Sequence, residues 1–274
     1  MFSIYFPPHP ALAEFVDCIC LMEHDFSCGD NLSPIYTYMP THTRLLCFYL
    51  GDSVKVKKSD GEFENHGRSV IIGPQLTPVT LDLGKKHANL LVLFKPCGLY
   101  RLLGIPLSQM VDCDFDARLI IGKEITEVTE RLMEAKSCDE KNGIIQLYLL
   151  SKLNEYQPSL PIDLAMSLMV HSHGKMSMDI LAAKSCLSVR QLERQSLQRI
   201  GLPPKYFARI VRFSVAYKLK ESNPKASWTE IAHQFGYYDQ MHLIRDFHHF
   251  TGINPSDLKK ETIENSVRFN SRVP

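Results

Sequence analysis

Nowhere in the 274 residues does an apolar run approach the roughly 20 residues that a bilayer-crossing helix needs, which excludes a membrane-spanning helix. The opening stretch 1–8 lacks both a basic region and an apolar run ending in small residues. It therefore does not read as a secretory signal, and the expected location is the cytoplasm. The eight cysteines form no CxxC pair and are followed by no histidine at zinc-finger spacing, so reduced and mostly buried thiols are expected. A glycine-rich phosphate loop, a nucleophile elbow and a Ser/His/Asp constellation are all missing. His42, His66 and His87 lack the closely spaced His-x-His with a following Glu that would bind a metal from adjacent strand positions. The expectation is a chain with no cofactor, no metal and no enzymatic activity.

What is present divides into two parts. The length predicts about two domains at roughly 150 residues each, and residues 157–161, Gln-Pro-Ser-Leu-Pro, read as the break between them. Net charge is only +1 overall, but residues 1–157 hold 15 Lys/Arg against 20 Asp/Glu while residues 158–274 hold 16 against 10. An acidic half joined to a basic half assigns them different electrostatic roles. Between 35 and 95, short β-type runs alternate with turn signals such as Gly51-Asp52, Asp60-Gly61 and Gly73-Pro74, which predicts a small antiparallel barrel or sandwich. Two helices are expected over 117–137 and 140–156, the second with Ile144, Leu147, Leu150 and Leu153 on one apolar face.

Beyond Pro161 the strand pattern gives way to helices and an internal repeat. Leu181, Ala182, Cys186 and Leu187 return as Ile231, Ala232, Gly236 and Tyr237; after one inserted residue, Ser188, Leu192, Arg194, Gly201, Leu202 and Pro204 return as Asp239, Leu243, Arg245, Gly252, Ile253 and Pro255. Each copy predicts a short helix, a tight turn at a small residue, a capping residue (Ser188 or Asp239) and a second helix. That geometry lays the second helix in a DNA major groove. With Leu192 in the core, Arg190, Glu193 and Arg194 face outward; with Leu243 and Phe247 in the core, Gln240, Met241, Ile244 and Arg245 do so. Arg can grip guanine through two hydrogen bonds and Glu can accept one from cytosine. A helix beginning at Pro203-Pro204 and ending near Glu221, with Phe207, Val211, Val215 and Leu219 on its apolar stripe, would hold the reading helices about 27 Å apart, near one turn of B-DNA.

These motifs carry a family resemblance. Residues 177–260 resemble the paired helix-turn-helix domain of the AraC/XylS bacterial transcription regulators, most densely in Ile231-Ala232, Phe235-Gly236-Tyr237, Asp239-Gln240, His242-Leu243 and Arg245-Asp246-Phe247. The resemblance implies that Arg190, Glu193, Arg194, Gln240, Met241 and Arg245 face DNA bases, with Ser188, Lys205, Arg209 and Asp239 at phosphates. Ser196 departs from the pattern, standing where an aromatic would anchor the first reading helix as Phe247 does the second; neighbouring Leu197 is expected to replace it. The resemblance also implies an N-terminal domain that senses an effector or mediates homodimerisation, and contact with RNA polymerase.

The expected architecture is thus α+β. A cupin-like antiparallel barrel with flanking helices over 1–157 precedes an all-α domain over 158–260, whose two helix-turn-helix units are joined by a linker helix, and a polar tail over 261–274. The expected partners are double-stranded DNA and a small-molecule effector, with no membrane. The alternative is a cupin-type metalloenzyme whose helices serve only assembly. Charge placement and histidine spacing both favour the regulator.

Overall fold

The computed structural model describes residues 2–28, 32–58 and 61–258; the tail expected over 261–274 lies outside them. Two antiparallel sheets come first. One contains β1 (Phe2–Phe6), β2 (Val16–Asp25), β4 (Arg44–Tyr49), β7 (Ser69–Ile72), β9 (Lys86–Phe94) and β10 (Asp114–Asp116), in the order β1-β2-β9-β4-β7-β10. The other contains β3 (Ile35–Tyr38), β5 (Lys55–Lys58), β6 (Glu64–Asn65) and β8 (Val79–Asp82), in the order β3-β8-β5-β6. The β region therefore begins well before residue 35. β1 and β2 pair in continuous antiparallel register from Phe2 opposite Glu23 to Phe6 opposite Ile19.

The six-stranded sheet is covered on both faces, which explains why β4 is buried at every position rather than at every second one. Alternation still sorts its residues. Cys18, Cys20, Met22, Cys47 and Leu91 face the second sheet, while Ile19, Leu21, Leu46, Phe48 and Val92 face a layer of helices. That layer holds α1 (Gly98–Leu103), α2 (Ala117–Ile121), α3 (Lys123–Glu134) and α4 (Cys138–Ser151).

The helix expected over 117–137 is two helices, broken at Gly122, whose φ of +89° an α-helix cannot contain. The helix expected over 140–156 ends at Ser151 and tightens into a 3-10 turn. Its buried face is Ile144, Ile145, Tyr148 and Leu149, whereas Leu147, expected on the apolar face, is exposed.

The remaining helices form the C-terminal domain: α5 (Pro161–His171), α6 (Met178–Lys184), α7 (Val189–Ile200), α8 (Pro204–Ser222), α9 (Trp228–Gln234) and α10 (Gln240–Thr251). They share one core with Met39 and Cys97 of the sheet domain. α8 is buried more broadly than its expected stripe, through Ala208, Ile210, Phe213, Ala216 and Tyr217 as well as Phe207 and Val211, because helices and sheet domain enclose it from several sides. No helix of the described residues is long and apolar enough to cross a membrane.

Candidate nucleic-acid interface

The two helical units are built alike down to single hydrogen bonds. Ser177 and Ser227 cap α6 and α9, accepting from the backbone N–H of Ile180 and Glu230. The turns pass through left-handed residues, Cys186 at φ +53° and Gly236 at φ +71°. After each, an amide donates back to the preceding helix, Leu187 N to Ala182 O at 2.9 Å and Tyr237 N to Ala232 O at 3.0 Å. The sequence repeat is therefore a repeat of turn geometry, with a small residue where the chain reverses.

Ser188 opens α7 with a reciprocal capping box, its Oγ accepting from Gln191 N at 3.2 Å while Gln191 Oε1 accepts from Ser188 N at 2.8 Å. Asp239 opens α10, Oδ1 accepting from His242 N at 2.7 Å. Both side chains are engaged as caps, each taking up one N-terminal amide of its helix. Leu192 and Leu243 are buried, and Arg190, Glu193, Arg194, Gln240, Met241 and Arg245 are all exposed. On α7 the spacing 190, 193, 194, 197 makes one stripe; on α10 the spacing 241, 245, 248 makes another. Gln240 stands at the start of its stripe with Oε1 accepting from Thr229 Oγ1 at 2.8 Å.

Two residues differ from expectation. Leu197 is 43% exposed and does not replace the missing aromatic. Ser196 itself is fully buried, donates to Leu202 O at 2.7 Å and lies against Met166 of α5, so a hydrogen bond and a neighbouring methionine anchor the first reading helix. In the second unit Phe247 packs edge-on against Phe213 and Trp228, as expected of the anchor. Of the residues expected at phosphates, Lys205 is exposed. Arg209 is held by Asp246, with Nε and Nη2 donating to Oδ1 at 3.1 and 2.8 Å, and its guanidinium lies over Tyr206 and Phe250.

The far end of α7 docks on the sheet domain through residues that the sequence reading did not single out. Arg44, fully buried at the start of β4, donates to Ile200 O at 3.1 Å and sets its guanidinium over Phe207. A cation at these carbonyls suits the negative end of the helix dipole. Gln198 donates to Tyr100 Oη of α1 at 2.9 Å, while Arg199 ties α7 to α5 within the helical domain, donating to both carboxylate oxygens of Asp163 at 2.8 and 2.6 Å. Gly201 allows the close approach, since a Cβ there would fall 2.4 Å from Leu107 O. A lone arginine heading an apolar strand was the available signal. Its partner, 156 residues away, left none.

Beside this junction lies a cavity of about 600 Å³, walled by both sheets together with α5 and α8. Its wall is mainly apolar and includes Leu45, Leu81, Val79, Leu93, Val170 and Val215. The three histidines considered as ligands are all at this wall, and each has its own partner. His42 is hydrogen-bonded to Ser214 of α8 at 2.6 Å, His66 to Asp114, and His87 Nε2 to the Asn89 amide at 3.1 Å. Burial and the Arg44 cation push His42 down to about 3; burial pushes His87 down to about 4.

Comparison with known proteins matches each half separately. Residues 181–261 match a family described as a helix-turn-helix domain, and residues 5–116 match one described as a domain of unknown function (DUF6597). Over 91 residues, 33% of this chain, the sequence is 32% identical to the HTH-type transcriptional activator RhaS of Shigella boydii serotype 18, and that match spans 32% of the relative's length. ToxT of Vibrio cholerae O395 aligns with a TM-score of 0.46 at 14% identity, covering 86% of this chain and 94% of that one. Wild-type ToxT of Vibrio cholerae strain SCE256, solved with an unsaturated fatty acid bound, aligns at 0.44 and 11% identity, covering 86% and 94%.

Proposed function

We propose that the chain is a sequence-specific DNA-binding transcription regulator of the AraC/XylS type, a reading supported by the match of residues 181–261 to a helix-turn-helix domain family and by the 32% identity over 91 residues to an HTH-type transcriptional activator. The observation that carries this reading is the pair of equivalently capped helices, α7 and α10, each buried on one side and presenting a polar stripe on the other. Arg190, Glu193 and Arg194 read one half-site, and Gln240, Met241 and Arg245 the other. α8 spans 19 residues, or about 28 Å at ~1.5 Å per residue, which suits reading helices one turn of DNA apart. Lys205 and the helix N-terminal amides at Ser188 and Asp239 position the phosphate backbone. Arg209 acts chiefly through Asp246.

In this reading the sheet domain is non-catalytic and regulates the helices, and the protein works in the cytoplasm. An effector occupies the cavity between the sheets and α8. Its presence is carried to the reading helices through His42–Ser214 and Arg44–Ile200, the contacts that join the two domains beside the wall. Homodimerisation is supported by apolar residues that the sheet domain's helices leave outside, Leu119, Met133 and Leu147. Transcription changes through contact with RNA polymerase. The test is a mobility-shift titration of the full chain against duplex DNA at increasing salt. Binding that weakens steeply as salt rises supports the reading, because displaced counterions drive phosphate contact; no binding at low salt refutes it.

A further inference from the structure

Several of the cavity's charged groups already have partners. Lys58 pairs with Asp114, which also accepts from His66. Asp112 takes the backbone N–H groups of Leu76 and Thr77 at 2.6 and 2.9 Å, and Lys95 donates to Ala13 O. Burial holds the Lys218 ammonium below the ordinary lysine range, opposed in part by the charges of Glu221 and Asp17. Lys58 is thus already paired with a carboxylate, Lys95 is exposed and turned to a carbonyl, and transferring an uncompensated ion into such a cavity is costly.

Four further polar groups of the wall, Tyr49, Asn89, His66 and His87, lie close together. Tyr49 lies opposite Asn89 in the strand register, and its ring is 5.8 Å from that of His66 and 6.3 Å from that of His87. Asn89 gives its amide N–H to His87 Nε2, while its buried Oδ1 has no hydrogen-bond partner. His66 binds Asp114 through Nε2, and its buried Nδ1 likewise has none. In the neutral ring, whose Nε2–H points to the carboxylate, Nδ1 is an acceptor, as is the Asn89 oxygen. His87 Nδ1, buried and likewise without a partner, carries that ring's proton once Nε2 accepts from Asn89; a hydroxyl or N–H group supplies the donor that the two acceptors need, a hydroxyl also accepts from His87, and a carboxylate has no donor to offer.

We propose that the cavity binds an uncharged, mainly apolar molecule that presents hydroxyl or N–H donors to Asn89 and His66. The inference rests on the reading of this cavity as the effector site and names the chemical class of the effector. A volume of about 600 Å³ suits a ligand of one to three rings or an equivalent chain.

Three probes with one skeleton separate the alternatives: para-phenylbenzyl alcohol, para-phenylbenzoate and para-phenylbenzylammonium. Each is titrated calorimetrically into the full chain, into Val215→Trp and Val79→Trp, which fill the cavity from opposite walls, and into Asn89→Leu. Thermal unfolding of the ligand-free variants identifies any that fails to fold. The expected result is that the alcohol binds at least ~tenfold more tightly than either ion. Both tryptophan variants should abolish that binding, and Asn89→Leu should erase the alcohol's advantage. A charged probe that binds as well as the alcohol, and is blocked by the tryptophans, would overturn the ligand class and leave the cavity as the effector site. Binding by no probe, or binding indifferent to the tryptophans, would overturn the site itself.

Discussion

A single arginine can serve DNA or serve the fold, and the arginines proposed to read bases differ from Arg209 in having, among the described residues, no buried carboxylate to hold. Arg194 and Arg245 are exposed on the reading stripes, so truncation to alanine should cost about 1–3 kcal/mol on a specific duplex and little on random DNA. Equal losses on both duplexes would make them backbone contacts. Arg209→Ala should behave differently, because its partner Asp246 is only 3% exposed and would lose two charge-assisted hydrogen bonds. Stranding that carboxylate should destabilise the fold by about 1–3 kcal/mol, read as a lowered unfolding midpoint before any DNA is added.

Titration at the cavity wall acts in a definite direction. His42 and His87 are held neutral, at about 3 and about 4, while in the unfolded chain they return toward the ordinary value of about 6.5. The unfolded state then binds more protons within that window. The stability these two groups contribute is complete above about pH 6.5 and is lost as pH falls toward 4 and then 3. His87→Gln should flatten the acid side of a midpoint-against-pH curve; an unchanged slope would show that the ring is not held neutral.

At the scale of elements, the repeat made the helix-turn-helix units legible, because their capping residues and small turn residues recur in order. Cys186 and Gly236 occupy the same left-handed turn, yet only one is glycine. Cys186→Gly should therefore stabilise by up to about 1 kcal/mol, by removing the strain of a side chain in that region. Gly236→Ala should cost a similar amount, both read by thermal or urea unfolding. Ser196→Phe tests the unexpected anchor. An aromatic in a site already closed by Met166 and the Leu202 carbonyl should cost about 1–3 kcal/mol through overpacking, and a stabilised variant would show that the site has room.

Other elements were legible only in part. β3, β4, β5, β7, β8 and β9 stood out as short β-type runs between glycine, proline and aspartate turns. β1 and β2 did not, lying before the closely spaced series of strands and turns that begins at residue 35. Gly122 lay inside a pattern that otherwise read as one continuous helix. Leu147 kept the right spacing for an apolar face, but the sheet domain covers the neighbouring face instead.

For the whole molecule, the division into an acidic sheet-rich half and a basic helical half followed from charge and periodicity, but the way the halves meet did not. Junction and cavity arise from pairs such as Arg44 with Ile200 and His42 with Ser214, 156 and 172 residues apart, for which a single sequence holds no local signal. Arg44→Met keeps the stem's bulk and removes the charge. In the proposed coupling it should leave the intrinsic DNA contacts intact and make DNA affinity insensitive to any ligand bound in the cavity. Retained sensitivity would route the coupling elsewhere.

The central claim is that α7 and α10 read sequence as a linked pair. Its most direct measurement is selection of the full chain on random duplex DNA, repeated with Arg194→Ala and with Arg245→Ala. The account expects an enriched bipartite motif with half-sites about 10 base pairs apart, and each variant should lose preference in one half-site while keeping the other. No enriched motif, or a motif that both variants leave unchanged, would contradict it.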